Sequence, residues 1–282
     1  MKFLSSNKTL LMGVLNITPD SFSDGGRYFD KDRAVARAIE MADEGADIID
    51  VGGESTRPGS KEVSAEEEIA RVVQVIENLA GNIRAEISID TRKSKVAEAA
   101  LKAGASIIND VSGLRHDKDM ARVAANYGSG MILMHMRGTP ENMQDSPEYA
   151  DLIGEIKNSL RLSTEEAIKA GIKKDSIAVD PGIGFGKTVE QNLEILNRLE
   201  EFKDLGFPLC IGTSRKSFLG KLLDNPAADD RLAGTIATCV AAVMKGARII
   251  RVHDVKAVKD AITVTENILD VKKAVIYGEA RN

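Results

Sequence analysis

The sequence predicts an α/β fold, a single (β/α)8 TIM barrel with eight parallel strands. Short apolar runs rich in β-branched residues alternate along the chain with longer segments of 3.6-residue periodicity, the pattern of repeated strand–helix units. The strand-like runs are almost continuously apolar, as in residues 47–51, which is typical of parallel strands covered on both faces. No linker or shift in composition divides the 282 residues, which favours one barrel domain over residues 1–282 rather than an open doubly wound sheet with a second domain.

Strands and helices are predicted in strict alternation. The predicted strands are residues 10–16, 47–53, 86–91, 106–112, 130–136, 177–181, 208–213 and 249–254. The predicted helices are residues 32–44, 64–80, 94–103, 117–127, 148–170, 189–202, 231–245 and 255–270. Several helices end at a glycine that suits a left-handed cap, namely Gly45, Gly104, Gly128, Gly171 and Gly246.

Composition and charge exclude several classes of function. With 38 basic and 43 acidic side chains the net charge is −5, which gives no general attraction to nucleic acid or to an anionic membrane surface. The N-terminal residues lose their apolar character within four positions, so we expect neither a signal peptide nor a membrane anchor. Cys210 and Cys239 have no ligand-type spacing, which excludes a zinc cluster or a disulfide framework and favours a reducing cytoplasm.

Each predicted strand is apolar and then ends in polar or charged groups. A barrel brings the C-terminal ends of its strands to one mouth, where the active sites of such barrels lie, so these side chains are expected to converge on one pocket. They are Asn16, Glu54, Asp90, Thr91, Arg92, Asn109, Asp110, His135, Asp180, Ser214, Arg215, Lys216, Arg251 and His253.

Two loops at this mouth have the composition of binding loops. Residues 17–29 form a long loop that contains the aromatic Phe22 beside acidic residues, and long loops in compact domains usually act as lids or binding loops. Residues 52–59 place Arg57 on a loop shaped by proline and glycine, where its guanidinium could bind a phosphate or carboxylate. The alternative for Arg57 is a solvated loop charge.

Residues 180–188 join a strand to a helix and end in Gly-Lys-Thr, like a phosphate-binding P-loop. Pro181 occupies the position at which that motif needs its first glycine, so hydrolysis of a nucleoside triphosphate is disfavoured. We interpret the glycines instead as room for a ligand to approach backbone amides at the start of the helix.

Cations near the ends of the seventh and eighth strands predict an anionic substrate. Residues 212–217 contain two cations and several hydroxyls, and the corresponding barrel loops often bind phosphate. Arg251 and His253 flank Val252 and should lie on the same side of the strand, as a clamp for phosphate or diphosphate. The alternative is an internal salt bridge from Arg251 to a carboxylate at the mouth.

Asp90, Asn109 and Asp180 offer two carboxylates and an amide without a histidine cluster of the metal-binding type. Such a set suits a flat heterocycle with amide-like edges. The alternative is a glycosidase-like acid/base pair of Asp90 and Asp180, which is disfavoured because the nearby cations favour an anionic leaving group. His116 and His135 are expected to be structural.

Two segments resemble the signature segments of the dihydropteroate synthase family. They are Met-Gly-Val-Leu-Asn-Ile-Thr-Pro-Asp-Ser-Phe-Ser-Asp-Gly-Gly at residues 12–26 and Asp-Val-Gly-Gly-Glu-Ser-Thr-Arg-Pro-Gly at residues 50–59. The resemblance continues at residues 89–91, 108–110, 133–136, 180–182, 214–217 and 251–254. It implies a (β/α)8 barrel that joins 6-hydroxymethyl-7,8-dihydropterin diphosphate to p-aminobenzoate, giving the folate precursor 7,8-dihydropteroate and pyrophosphate. It also implies a homodimer, for which the apolar helix at residues 232–244 is a candidate face.

The resemblance implies a role for each residue at the mouth. The pterin ring would be held by Asp90, Asn109, Asp180 and Lys216, and Asn16 would bind a Mg²⁺ ion that coordinates the diphosphate. Oxygen atoms of the substrate or diphosphate would be contacted by Thr56, Arg57, Arg251 and His253. The p-aminobenzoate site would be shaped by Pro58, Phe185 and Ser217, and the loops that carry Phe22, Asp24 and Arg57 would close over it.

The implied chemistry separates charge. Departure of diphosphate leaves positive charge on the pterin and negative charge on the leaving group, and electrostatic stabilisation of both is the main demand on the protein. The amine of p-aminobenzoate is itself the nucleophile, so no activated serine or cysteine is needed. The expected catalytic residues are Phe22, Asp24, Asp90, Lys216, Arg251 and His253.

Two alternatives are kept. A corrinoid-dependent methyltransferase shares the pterin-binding barrel, but it needs no diphosphate clamp, and this sequence has no cobalamin-binding segment. A non-catalytic pterin-binding barrel is the second, and the retained loop residues Asn16, Phe22, Asp24 and Arg57 argue against it.

Overall fold

The computed structural model describes residues 8–17, 27–57, 59–143, 147–224 and 227–278. Three residues with predicted functions, Phe22, Asp24 and Pro58, lie outside the described residues.

Eight parallel strands close into a barrel in the order of the chain, which confirms the predicted fold class. Each strand pairs with its sequence neighbours, and β8 closes the ring by pairing with β1. The strands are β1 (Leu10–Asn16), β2 (Ile48–Gly52), β3 (Glu86–Asp90), β4 (Ile107–Asp110), β5 (Gly130–Met134), β6 (Ile177–Asp180), β7 (Leu209–Ile211) and β8 (Ala247–Val252).

Helices follow the strands as the periodicity predicts. They are α1 (Arg27–Asp43), α2 (Ala65–Leu79), α3 (Ser94–Ala103), α4 (Met120–Tyr127), α5 (Leu152–Lys169), α6 (Val189–Asn197), α7 (Ser217–Leu222), α8 (Leu232–Met244) and α9 (Val255–Gly278). Short 3₁₀ helices occupy Lys174–Ser176, Leu199–Leu205 and Asp229–Arg231.

Several elements differ from their predicted bounds, and the largest differences are at α1, which begins at Arg27 inside the predicted loop, and at α9, which extends to Gly278. Strand β8 begins two residues before the predicted start, at Ala247. The helix predicted to run to residue 202 ends at Asn197 and continues as the 3₁₀ helix Leu199–Leu205. Helix α7 was not predicted, because its six residues are too few to show a helical period.

The predicted glycine caps are confirmed. The φ angles of Gly45, Gly104, Gly128, Gly171 and Gly246 lie between 61° and 119°, in the left-handed region that favours glycine. In α3 and α4 the amide of the capping glycine donates to carbonyl groups of the last turn, which satisfies part of the helix end.

The barrel interior has an apolar layer below a polar one. The apolar layer consists of Met12, Ile48, Ile107, Ile132, Ala178, Cys210 and Ile249, all buried. Two residues further along four of these strands stand Asp50, Asn109, Asp180 and Arg251. Because alternate residues of a strand face the same side, these four side chains lie directly above the apolar layer, towards the C-terminal mouth. A second and larger core fills the space between strands and helices. Among the described residues, no helix is both long and apolar enough to cross a membrane.

Candidate active site

Arg251 joins two strands across the barrel mouth. Its Nε donates to Oδ2 of Asp50 at 2.6 Å, and its Nη2 donates to Oδ2 of Asp90 at 2.7 Å. The Asp50 side chain is fully buried and that of Asp90 is 6% exposed. The internal salt bridge that the sequence left open as an alternative for Arg251 is therefore present in this structure.

Asn109 completes this polar layer. Its Nδ2 donates to Oδ2 of Asp50 at 3.0 Å in a buried hydrogen bond between β4 and β2. Among the described residues, Oδ1 of Asp50 and Oδ1 of Asp90 are buried without a hydrogen-bond partner. A buried acceptor without a donor is costly, so these two oxygens are suited to receive N–H groups from a ligand.

Burial perturbs the Asp90 carboxyl. Burial raises its pKa to about 7, and the neighbouring carboxylate of Asp50 adds to the rise, while the charge of Arg251 opposes it. Perturbed acids in a cleft are typical of functional sites. The group can therefore gain or lose a proton near neutral pH, according to the charge of what binds beside it.

Asp180 and Lys216 form the opposite side of the mouth. Oδ1 of Asp180 accepts a hydrogen bond from the amide of Gly182 at 2.6 Å. The Nζ atom of Lys216 donates to the carbonyl of Ile183 and lies 4.0 Å from the ring centroid of Phe185, a cation–π contact. Burial lowers the pKa of Lys216 to about 7, against the opposing charge of Asp180.

Phe185 belongs to a small apolar cluster separate from the main core. Its partners are Val111, Met134, Met136 and Met143, which come from the ends of β4 and β5 and from the loop after β5. Beside Lys216, this cluster provides a ring, a cation and flexible thioether side chains, which together suit a flat aromatic ligand.

The turn that resembles a P-loop is held from beneath by its own lysine. Lys187 is 3% exposed, and its Nζ contacts the carbonyls of Gly182 and Phe185 at 2.9 Å each and Nδ1 of His135 at 3.1 Å. A lysine with these three contacts has none to spare for a phosphate, which explains physically why the P-loop interpretation fails. His135 is thereby confirmed in the structural role expected for it.

His253 lies just beyond β8 and is held by Ser214. The Oγ atom of Ser214 accepts from the His253 amide at 3.1 Å and lies 3.0 Å from Nδ1 of the ring. The Ser214 hydroxyl can donate to Nδ1 or accept from Nδ1–H, because an oxygen that accepts one hydrogen bond keeps a second lone pair. Burial lowers the pKa of His253 to about 3, helped by the charges of Arg251 and Arg215. His253 is therefore a neutral imidazole at neutral pH.

A buried group of four charges supports the loop after β2. The Glu54 carboxylate binds Nη2 of Arg92 at 2.9 Å and Nζ of Lys93 at 2.6 Å, and Lys93 also binds Glu68 at 2.8 Å. Burial raises the pKa of Glu54, but hydrogen bonds from Lys93, from the Val63 amide and from Arg92 outweigh it and hold that pKa below its usual value. Two acids and two bases thus neutralise one another beneath the loop.

Other predicted site residues are more exposed. Arg57 is exposed and Thr56 is half-buried on the loop after β2, while Ser217 is exposed at the first turn of α7. The Arg215 side chain turns to Asp254, with Nη2 to Oδ1 at 2.6 Å, and is not part of the polar layer.

Asn16 stands at the C-terminal end of β1, half-buried. A Cβ atom placed on Gly52 would lie 3.6 Å from Oδ1 of Asn16 and 3.7 Å from Cβ of Asp90, so glycine at position 52 leaves space between these side chains. Among the described residues, no group of three or more His, Cys, Asp or Glu side chains could hold a metal ion.

Sequence reasoning missed two residues that organise this site. Asp50 lies inside a strand and not at its end. It is the one charged residue in the otherwise apolar segment Ile48–Gly52, and this feature could have identified it. Lys187 was considered only as a phosphate ligand, whereas its contacts are internal.

The chain matches the family described as pterin binding enzyme over residues 12–253. It is 51% identical over 269 residues to the dihydropteroate synthase of Clostridium beijerinckii, an alignment that covers 95% of this chain and 97% of that one. A crystal structure of dihydropteroate synthase from Clostridium difficile in the presence of pteroic acid has a TM-score of 0.88 at 48% identity and covers 93% of this chain and 97% of that chain. The Xanthomonas albilineans dihydropteroate synthase with 4-aminobenzoic acid has a TM-score of 0.88 at 41% identity, with coverage of 93% and 94%. The solved relatives share the fold of the barrel, and the chain belongs to the dihydropteroate synthase family of pterin-binding enzymes.

Proposed function

We propose that this protein carries out the reaction of its family. It joins 6-hydroxymethyl-7,8-dihydropterin diphosphate to p-aminobenzoate, forming 7,8-dihydropteroate and pyrophosphate as a step of folate biosynthesis. The observation that carries this proposal is the buried layer of Asp50, Asp90, Asn109 and Arg251, in which two carboxylate oxygens lack a donor.

The pterin ring binds at this layer. Its amino group and ring N–H groups are donors, and the unpartnered oxygens of Asp50 and Asp90 are acceptors at the right depth in the barrel. Asn109 and Asp180 add an amide and a carboxylate, and Lys216 contributes a cation from the facing loop. As the carbon–oxygen bond to the diphosphate breaks, the Asp90 carboxylate stabilises the positive charge that develops on the ring.

The diphosphate binds at the outer side of the mouth. Arg57 is exposed on the loop after β2, and its charge is among those that lower the pKa of His253, after burial and the larger effects of Arg251 and Arg215, so Arg57 lies within electrostatic range of His253. Arg251 neutralises the leaving group while remaining near Asp90, and neutral His253 donates a hydrogen bond through Nε2 in the tautomer in which Ser214 donates to Nδ1.

Asn16 fits the role of a Mg²⁺ ligand. Its amide oxygen is a hard donor at the mouth, and Mg²⁺ usually keeps several waters and takes one or two protein ligands besides substrate phosphates. A cage of several side chains is therefore unnecessary. When bound, Mg²⁺ supplies charge that offsets the growing charge of the diphosphate leaving group.

The p-aminobenzoate binds beside Phe185 and Lys216. The ring of Phe185 offers an apolar face, and the Lys216 cation 4.0 Å from its centroid can attract the carboxylate of the substrate. Thr56, Pro58 and Ser217 are proposed to border this subsite. The amine of p-aminobenzoate attacks the exocyclic carbon of the pterin directly.

A homodimer in the cytoplasm is the proposed context. Neighbouring helices α8 and α9 expose the large apolar side chains Leu232, Met244, Val264 and Ile268. Exposed apolar surface of this kind is typical of protein interfaces. Cys210 and Cys239 are both free and buried, in keeping with a reducing compartment.

The alternatives are weaker. A corrinoid-dependent methyltransferase has no leaving diphosphate, and the relatives of 51%, 48% and 41% identity are all dihydropteroate synthases. A non-catalytic barrel would need no cation near the pterin ring, whereas Arg251 and Lys216 both lie at this mouth.

Release of pyrophosphate is the measurement that tests the proposal. The purified protein is given the dihydropterin diphosphate and Mg²⁺, with and without p-aminobenzoate, and with and without EDTA. We expect release that requires p-aminobenzoate, stops with EDTA and is lost in Arg251→Ala. The control is Arg122→Ala, which removes an exposed partner of Asp119 and leaves the mouth intact.

Binding of the pterin without any release would favour the non-catalytic barrel. If Arg251→Ala fails to fold by circular dichroism, Lys216→Met tests the same mouth, because Lys216 is not part of the buried pair of carboxylates and arginine. Release by Lys216→Met at the wild-type rate and wild-type KM for both substrates would contradict the proposed site.

A further inference from the structure

The turn of residues 182–186 is held mainly by side chains. A backbone hydrogen bond from the Phe185 amide to the Gly182 carbonyl at 3.1 Å closes it. Further contacts come from four side chains outside the turn. Lys187 binds the carbonyls of residues 182 and 185, Lys216 binds that of residue 183, Tyr149 binds that of residue 186, and Asn192 accepts from the amide of residue 184.

Two lysines hold this turn at different carbonyls. Lys216 donates to Ile183, and its ammonium also contacts the Phe185 ring. Lys187 is buried at 3% exposure, contacts Gly182 and Phe185, and reaches back to His135 at the end of β5. The proposed reaction uses Lys216, whereas it gives the buried amine of Lys187 no part in binding or catalysis.

Lys187 satisfies its three contacts in either charge state. As an ammonium group it donates to both carbonyls and to Nδ1 of a neutral His135. As a neutral amine it donates to both carbonyls and accepts from Nδ1–H of His135. The link between the turn and β5 can therefore form with Lys187 in either charge state as long as His135 is neutral.

The backbone leaves the turn no room to shift towards β5. The φ angle of Gly182 is 73°, and a Cβ atom there would lie 1.9 Å from the carbonyl oxygen of His135. The turn is pressed against the end of β5 at the same place where Lys187 links the two. Losing that link would release the carbonyl of Phe185, the residue whose ring borders Lys216.

We infer that Lys187 is a positioning residue for the p-aminobenzoate subsite, where it fixes the Phe185 ring against Lys216 by joining the turn to the end of β5. The inference rests on the proposed function for the identity of the subsite. It assigns no contact between Lys187 and either substrate. Asp180 stays in place without Lys187, because it belongs to β6 and its register with β5.

The test compares Lys187→Met with the wild-type protein. Methionine keeps the length and removes the hydrogen bonds. We expect the KM for p-aminobenzoate to rise roughly tenfold, since small displacements of positioning groups have effects of this order or larger. The Kd of the dihydropterin diphosphate, measured by calorimetry with Mg²⁺, should stay within about twofold, because its proposed contacts at Asp90, Asn109 and Asp180 lie on strands and none is assigned to the turn.

A matched control is Lys174→Met. Lys174 also contacts an aromatic ring, that of Phe207 at 5.3 Å, but it precedes β6 and so lies at the opposite end of the barrel. Lys174→Met should leave the KM for p-aminobenzoate and the Kd of the dihydropterin diphosphate unchanged. A merely structural role for Lys187 would lower thermal stability and either spare both constants or weaken both together, and each of these results would overturn the inference.

A second pair of variants keeps the inference testable if Lys187→Met does not fold. His135→Asn retains an acceptor and donor near the Nδ1 position, whereas His135→Leu removes the third contact of Lys187. We expect a higher KM for p-aminobenzoate in His135→Leu and a nearly normal one in His135→Asn. Equal KM values in the two variants would contradict the inference. Absence of turnover in the wild-type protein would contradict the proposed function instead, so the two failures are distinguishable.

Discussion

Arg251 and Asp90 form an ion pair across the barrel mouth, with Nη2 of Arg251 2.7 Å from Oδ2 of Asp90. The same guanidinium binds Asp50, which is fully buried, so Arg251 is charge-balanced before any ligand arrives. An anionic substrate must therefore compete with two carboxylates for this cation. The raised pKa of Asp90, about 7, reduces that competition because the acid is partly neutral near pH 7.

Replacing Asp90 by asparagine separates catalysis from anion binding. The substitution keeps the size and removes the charge that is proposed to stabilise the cationic ring. We expect kcat to fall by about 10²-fold or more, as for other lost electrostatic groups. The affinity for Mg²⁺–pyrophosphate, measured by calorimetry, should stay the same or rise, because the lost carboxylate no longer competes for Arg251. Equal losses in kcat and in pyrophosphate affinity would contradict this role of Asp90.

His253 should remain neutral over the physiological range. Its pKa is lowered to about 3, from an ordinary value of 6.5, first by burial and then by the charge of Arg251. Between these values only the unfolded chain takes up the proton, so the free energy of unfolding falls as the pH falls from 6.5 towards 3. His253→Gln should reduce this slope, measured by urea unfolding at several pH values. His135, whose pKa is also lowered by burial, contributes to the slope in both the wild-type protein and His253→Gln. The difference between the two slopes therefore reports on His253 alone. Identical slopes, or a ring ¹⁵N signal that titrates near pH 6.5, would show that His253 becomes charged.

Lys216 should react as a nucleophile at neutral pH. Burial lowers its pKa to about 7, so about half of the side chains are unprotonated at pH 7. We expect acetylation by acetic anhydride, followed by mass spectrometry, to rise with pH with a midpoint near 7. The control is exposed Lys102, whose pKa is raised by its hydrogen bond to Glu98. Labelling of both lysines with the same pH dependence would contradict the lowered pKa.

The polar residues at the mouth could be predicted because parallel strands place their C-terminal ends together. Asn109, Asp180 and Arg251 each follow an apolar residue of the interior layer by two positions. Asp50 follows Ile48, another residue of the interior layer, by the same two positions. It was missed because only residues at strand ends were considered. An alternating pattern checked from the interior layer upwards would have found this residue.

The sequence could not predict which charged side chains pair with one another across the barrel. Asp50 and Asp90 are 201 and 161 positions from Arg251, and several cations end the neighbouring strands. Which cation neutralises which carboxylate depends on strand register and side-chain reach. The three contacts of Lys187 are likewise invisible in its motif, since two of its partners are backbone carbonyls that converge only in the folded turn.

The buried charges beneath the β2 loop should be sensitive to the loss of one partner. Lys93→Met leaves Glu54 and Glu68 without their shared cation, and Glu68 is 1% exposed. Removing one partner of a buried pair costs about 3–5 kcal/mol of unfolding free energy. Lys256→Met, at an exposed pair with Asp260, serves as the control and should leave stability unchanged. Urea unfolding measures the free energy of unfolding of both variants. If Lys93→Met loses no more stability than Lys256→Met, solvent screens the charges beneath the β2 loop.

Gly182 should tolerate alanine far less than a glycine of similar backbone conformation. The φ angles of Gly182 and Gly81 are 73° and 79°, so alanine at either position meets the left-handed penalty of about 1–2 kcal/mol. At Gly81 nothing lies within 4 Å of the added Cβ, whereas at Gly182 it would lie 1.9 Å from the His135 carbonyl oxygen. Gly182→Ala must therefore also displace the turn from β5, and we expect its total cost in urea unfolding to exceed about 3 kcal/mol. Similar costs for the two variants would mean that backbone conformation alone requires glycine at position 182. A larger cost for Gly182→Ala would show that the close approach of the turn to β5 is the stronger constraint.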